Sequence, residues 1–106
     1  MGEKVLFNND QEAEELLSKS RKEIDEIDNK LIDLISLRTS LAEDIVQAKV
    51  HLGMEIYDKT REESIHKKTT KLAEEKNLAP EILNQIMDML TILSKNKQKE
   101  HLKEEC

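Results

Sequence analysis

Aromatic side chains are nearly missing from this chain: Phe7 and Tyr57 are the whole set, there is no tryptophan, and they make up 2% of the 106 residues. Any core must therefore come from Leu, Ile, Met and Val, and at this length it is the small core of one domain. Glycine and proline are as scarce, at two and one. With no apolar/polar alternation either, a turn-rich β architecture is excluded and an all-α fold is expected. A single cysteine, Cys106, allows no internal disulfide and suits a reducing cytoplasm, which is the expected location. His51, His66 and His101 have neither mutual spacing nor cysteine neighbours of a metal site, so neither metal nor cofactor is expected. No run of 18 or more apolar residues exists to span a membrane. Met1 to Asp10 lacks the apolar segment of a signal peptide, and Leu6 stands where a myristoylation signal wants Ser or Thr. Positive charge is the minority sign, leaving a net charge of −6, so nucleic acid is not an expected partner.

What remains is helical. A polar extension, residues 1–9, precedes a helical domain over 10–106. Three helices are expected. The first starts near Asp10, with Glu14 and Glu15 in its early turns, and runs to Leu52, stopping at Gly53. The second runs from about Lys59 to Lys76 behind the N-cap Asp58. The third begins at Pro80, a residue suited to a first helical position, and reaches about Lys103. Some 40 residues in the first helix make roughly 60 Å, more than a globule of this size needs. Its apolar stripe is too long for two shorter helices to cover, and the second helix is poor in apolar residues. An intertwined two-fold homodimer is the expected assembly.

Four residues interrupt otherwise apolar stripes. Ile24, Ile27, Leu31, Leu34, Ile35, Leu41, Ile45 and Leu52 mark one face of the first helix at three- and four-residue steps, yet Arg38 and Lys49 fall on that face. Eleven residues apart, they point within about 20° of each other. On the third helix Leu83, Met87 and Leu90 lead into Ser94 and Gln98. Taken singly, Arg38 or Lys49 reads as a long side chain lying along apolar surface with its head in water. Taken together, the four place cations and polar donors where burial is costly without a partner. No carboxylate at matching spacing cancels both cations, so an anionic ligand held between helices is expected.

The run Arg21-Lys22-Glu23-Ile24-Asp25-Glu26-Ile27-Asp28-Asn29-Lys30-Leu31-Ile32-Asp33-Leu34-Ile35-Ser36-Leu37-Arg38 resembles the first helix of the all-helical (AroQ-type) chorismate mutases. The resemblance continues through Lys49 and Asp58-Lys59-Thr60-Arg61-Glu62 and ends with Ser94 and Gln98, covering about residues 16–102. Glu55 departs from it, standing where many relatives carry proline. The resemblance implies the rearrangement of chorismate to prephenate, the branch toward phenylalanine and tyrosine. That pericyclic step needs no nucleophile, base or metal, and the chain shows no nucleophile paired with a base and no glycine-rich phosphate loop.

Residue by residue, the resemblance assigns Arg21 and Arg38 to substrate carboxylates, and Lys49 and Gln98 to the ether oxygen, with Lys49 also near a carboxylate. It assigns Asp58, through its backbone, and Glu62 to the ring hydroxyl, Arg61 to positive potential near a carboxylate, and Ser94 to the ring carboxylate. Asp58 as a helix cap, Glu62 as a first-turn carboxylate and Arg61 as a solvated charge are the plainer readings of the same residues. Arg21 precedes Arg38 by seventeen residues, about 25 Å along a straight helix and roughly 100° around it. One small ligand cannot touch both on one chain, so a shared ligand requires Arg21 of a second copy. Two alternatives stay open: an isochorismate-pyruvate lyase, which resembles this fold and also uses a cationic pocket, and a non-catalytic helical dimerisation protein.

Overall fold

The structure, a computed structural model, describes residues 7–105, with side chains through residue 103. Cys106 and residues 1–6 of the expected extension lie outside the described residues. Four helical segments follow one another: α1 (Asp10–Ser40), α2 (Ala42–His51), α3 (Lys59–Glu75) and α4 (Pro80–Glu105). All regular structure among the described residues is helical.

The expected long first helix is realised as α1 and α2, which meet at one residue. Leu41 keeps helical dihedrals (φ −71°, ψ −12°), but its N–H bonds the Arg38 carbonyl three residues back, at 3.2 Å. The cause lies just before it. Thr39 Oγ1 donates to the Ile35 carbonyl at 2.8 Å, and Ser40 Oγ to the Leu37 carbonyl at 2.6 Å. Consecutive hydroxyls competing for main-chain carbonyls loosen a helix locally.

The helix ends follow local chemistry. The Asn9 side chain accepts from the Glu12 N–H at 2.9 Å and caps α1. Gly53 ends α2 with φ +69°; the Met54 N–H reaches the Lys49 carbonyl at 2.8 Å and the Gly53 N–H the Val50 carbonyl at 3.2 Å, the Schellman pattern. Asn77 (φ 57°) ends α3 in the same way, with the Leu78 N–H on the Ala73 carbonyl at 2.8 Å. Asp58, in extended conformation, accepts from the Arg61 N–H at 3.0 Å and starts α3.

The chain divides into two units, up to Leu34 and from Ile35 onward. In the first, every described residue is exposed except half-buried Ala13, and Ile24, Ile27, Leu31 and Leu34 each keep about half their surface in water. In the second, α2 and α3 both pack on α4. Its buried apolar residues are Ala42, Val46 and Ala73. Small side chains occupy these places because they let helix backbones approach closely. The larger Leu41 and Ile45, marked by the sequence stripe, stay exposed. Polar clamps tie the same helices together: Asn84 Nδ2 donates to Thr70 Oγ1 at 3.0 Å and His66 bonds Asp88 between α3 and α4, while His101 on α4 lies between Gln47 and Glu43 of α2.

Candidate active site

Arg38, Ala42, Val46 and Lys49 share one face of the α1–α2 run at four-, four- and three-residue steps. Ala42 and Val46 are buried, and this anchors the two cations beside α4. Arg38 Nη1 donates to the Leu90 carbonyl of α4 at 3.2 Å. Lys49 Nζ donates to the Ile56 carbonyl at 2.6 Å and to Gln98 Oε1 at 3.0 Å. Gln98, only 3% exposed, passes the chain on by donating from Nε2 to Ser94 Oγ at 3.1 Å, one turn back along α4. Lys49, Gln98 and Ser94 thus form one hydrogen-bonded line, and the Schellman turn at Gly53 returns the chain so that the carbonyl of Ile56 meets the ammonium.

This line borders a cavity of about 420 Å³, within the size range of small-molecule sites. Arg38, Lys49, Asp58, Arg61, Glu62, Ser94 and Gln98 all line it, seven of the eight residues singled out from sequence. Leu41, Ile45, Ile56 and Ile65 supply apolar wall, and Thr91 a hydroxyl. Arg21, the eighth, is not among the lining residues. It lies on an open surface of α1 with Glu14, Ser18, Lys22 and Asp25.

One charged lining residue escaped sequence reasoning: Lys95, which donates to Glu62 Oε2 at 3.2 Å. It sits in a lysine-rich stretch of α4, and no periodic signal separates it from Lys97 or Lys99. With Lys95 the cavity carries four cations, Arg38, Lys49, Arg61 and Lys95, against the carboxylates of Asp58 and Glu62. Burial pushes the Lys49 ammonium below its ordinary 10.5; Asp58 and Glu62 pull it back up, and Lys95 adds to the lowering.

An excess of two positive charges over a partly apolar, donor-lined cavity suits a compact dianion. Scaffold and cavity therefore define an all-helical protein with a small, cation-rich cavity. Residues 20–99 match the chorismate mutase type II family, and the chain belongs to that family. It is 42% identical to the chorismate mutase of Methanocaldococcus jannaschii over 90 residues, 85% of this chain and 91% of that one. It is also 33% identical over 86 residues to the bifunctional chorismate mutase/prephenate dehydratase of Buchnera aphidicola, covering 81% of this chain and 22% of the longer protein. Among the described residues no helix is long and apolar enough to cross a membrane.

Proposed function

We propose that this chain catalyses the rearrangement of chorismate to prephenate, as a cytoplasmic homodimer that needs no cofactor. The observation that carries the proposal is the Lys49–Gln98 pair on the wall of a cation-rich cavity, the Lys49 ammonium donating to the Gln98 amide oxygen at 3.0 Å while both side chains keep further N–H groups. In the reaction one ether C–O bond breaks as one C–C bond forms within a single molecule, and the ether oxygen gains negative charge on the way. Catalysis then consists of holding the dicarboxylate in its compact reactive conformer and aiming fixed donors at that oxygen.

The residues divide the work. Lys49 spends two of its three protons on Ile56 and Gln98, and Gln98 one of its two amide protons on Ser94, so each keeps one for the ether oxygen. Arg38 offers its guanidinium to a substrate carboxylate, for which the planar fork is suited. Arg61 adds positive potential, Ser94 bonds the ring carboxylate, and Asp58 and Glu62 accept from the ring hydroxyl. Asp58 caps α3 through Oδ1 while doing so, and the two roles are compatible. Incubating the purified protein with chorismate should remove its diene absorbance and yield prephenate. Isochorismate incubated in parallel should be left intact; release of pyruvate from it, with chorismate untouched, identifies a lyase instead.

The homodimer is inferred from the apolar surface. α1 buries no residue, and on α4 Ile82, Ile86, Met89, Ile92 and Leu93 are 44–62% exposed. Contiguous apolar exposure on this scale marks an interface. A second cavity, of about 380 Å³, is floored by Leu72, Leu78, Leu83 and Met87 and rimmed by Arg61, Lys68 and Lys76. Acidic residues outnumber basic ones over 10–34, so α1 of a second copy complements that rim. The same arrangement brings Arg21 of one protomer to the site of the other. Sedimentation equilibrium at micromolar concentration should give twice the 12.3 kDa chain mass. A fully active species of single mass overturns the dimer and the shared site together.

A further inference from the structure

We propose that Lys95 is a positioning residue for the reaction proposed above, holding one oxygen of Glu62 so that the other is presented to the substrate's hydroxyl. Three observations support it. First, the pair differs from the chain's exposed neighbour-to-neighbour bridges. Lys59–Glu63 and Lys97–Glu100 join residues four and three apart with 60% or more of each side chain in water, a setting in which ion pairs contribute little. Lys95 and Glu62 come from different helices, 33 positions apart, are about a quarter exposed, and both line the cavity. Second, Lys95 Nζ lies 5.4 Å from the centre of the Tyr57 ring, within cation–π range, and this fixes the ammonium against the segment that leads into Asp58. Third, the bond is to Oε2 of Glu62. One carboxylate oxygen is held while the other keeps its lone pairs for a ligand.

The charge balance gives the role its direction. Without Lys95 the cavity's cation excess falls from two to one, and an unpaired Glu62 faces a ligand carrying two negative charges. Lys95→Met should therefore raise KM for chorismate by about tenfold, with a smaller change in kcat, and Lys95→Arg should restore most of it. Part of the effect runs through Glu62, so Lys95→Met should change KM clearly less in a Glu62→Gln background than in the parent. The alkaline limb of kcat/KM should also move to higher pH in Lys95→Met. Lys49 would then face Asp58 and an unpaired Glu62, with Arg38 and Arg61 as the remaining cations of the cavity. A mere interhelical staple would lower the thermal midpoint and leave KM and the pH profile where they were. Lys95→Gln, closer in length and polarity, provides the same comparison if Lys95→Met folds poorly. Unchanged KM in a folded Lys95→Met or Lys95→Gln protein overturns the proposal, as does an equal effect with and without Glu62. A parent protein that leaves chorismate intact overturns the reaction itself, a different result from an active parent indifferent to Lys95.

Discussion

Lys49→Ala and Gln98→Ala should each lower kcat by on the order of a hundredfold, the usual loss when one preorganised donor to a developing negative charge is removed. Negative charge grows on the ether oxygen only as its bond breaks, so the loss should appear in kcat more than in binding. Lys49→Ala should also raise KM if, as proposed, this cation sits beside a substrate carboxylate. Gln98→Glu provides a sharper test. An amide donates at any ordinary pH, whereas a carboxyl donates only when protonated. Activity should be lost near neutral pH and partly return in mild acid. Lys49, 3.0 Å from the side-chain oxygen of Gln98, favours the ionised carboxylate, while burial of the position opposes it. A Gln98→Glu protein that tracks its parent across pH 5 to 8 removes Gln98 from the chemistry. In the parent, activity should decline on the alkaline side below the ordinary lysine value of 10.5, because burial weakens Lys49's hold on its proton. Steady-state kinetics across pH, with circular dichroism to follow the fold, decides all of these.

The second large effect concerns Arg21 and Arg38. Each alanine substitution alone should lower kcat/KM by on the order of a hundredfold or more, the scale for removing one partner of a desolvated charge pair. Mixing the two inactive proteins should bring activity back. In a mixed dimer one site lacks both arginines and the other keeps both, so free exchange of subunits regenerates roughly a quarter of the parent's sites. Subunit exchange with no returning activity would mean that Arg21 does not act across the interface. Arg38 has a further attachment, its bond to the Leu90 carbonyl, so the thermal midpoint of Arg38→Ala should be measured alongside.

The sequence made some of this legible and hid the rest for physical reasons. Arg38, Lys49, Ser94 and Gln98 could be picked out because a polar residue on an apolar helical face breaks a regular period, and all four line the cavity. Asp58, Gly53 and Pro80 could be placed because capping and left-handed backbone positions are local chemistry. The interruption at Leu41 needed more than periodicity: the hydroxyls of Thr39 and Ser40 had to be found bonding carbonyls, which their types permit but do not require. Ala42 and Val46 were overlooked because a hydropathy stripe weights large side chains, while close helix packing selects small ones. Lys95 depends on a partner 33 positions away, and no reading of its own helix distinguishes it from other lysines. Arg21 shows the opposite case. Its assignment came from the family resemblance and its reach to a second copy from its spacing to Arg38, and in a single chain it lies on an open surface.

The Ile56 carbonyl has a consequence for how this protein can change over time. Lys49 is oriented by a main-chain oxygen, a group that every amino acid supplies. Side-chain changes at Met54 or Glu55 therefore leave the lysine's anchor in place, whereas Gly53 is held by the left-handed turn (φ +69°) that returns the chain. Insertions and deletions are another matter. One residue more or fewer after Gly53 would carry a different carbonyl, or none, to the ammonium and shift the start of α3 with Asp58, Arg61 and Glu62 on it. Past the Gly53 turn the segment is thus held more tightly in length than in composition, so mutational drift can rewrite letters such as that of Glu55 but not their count.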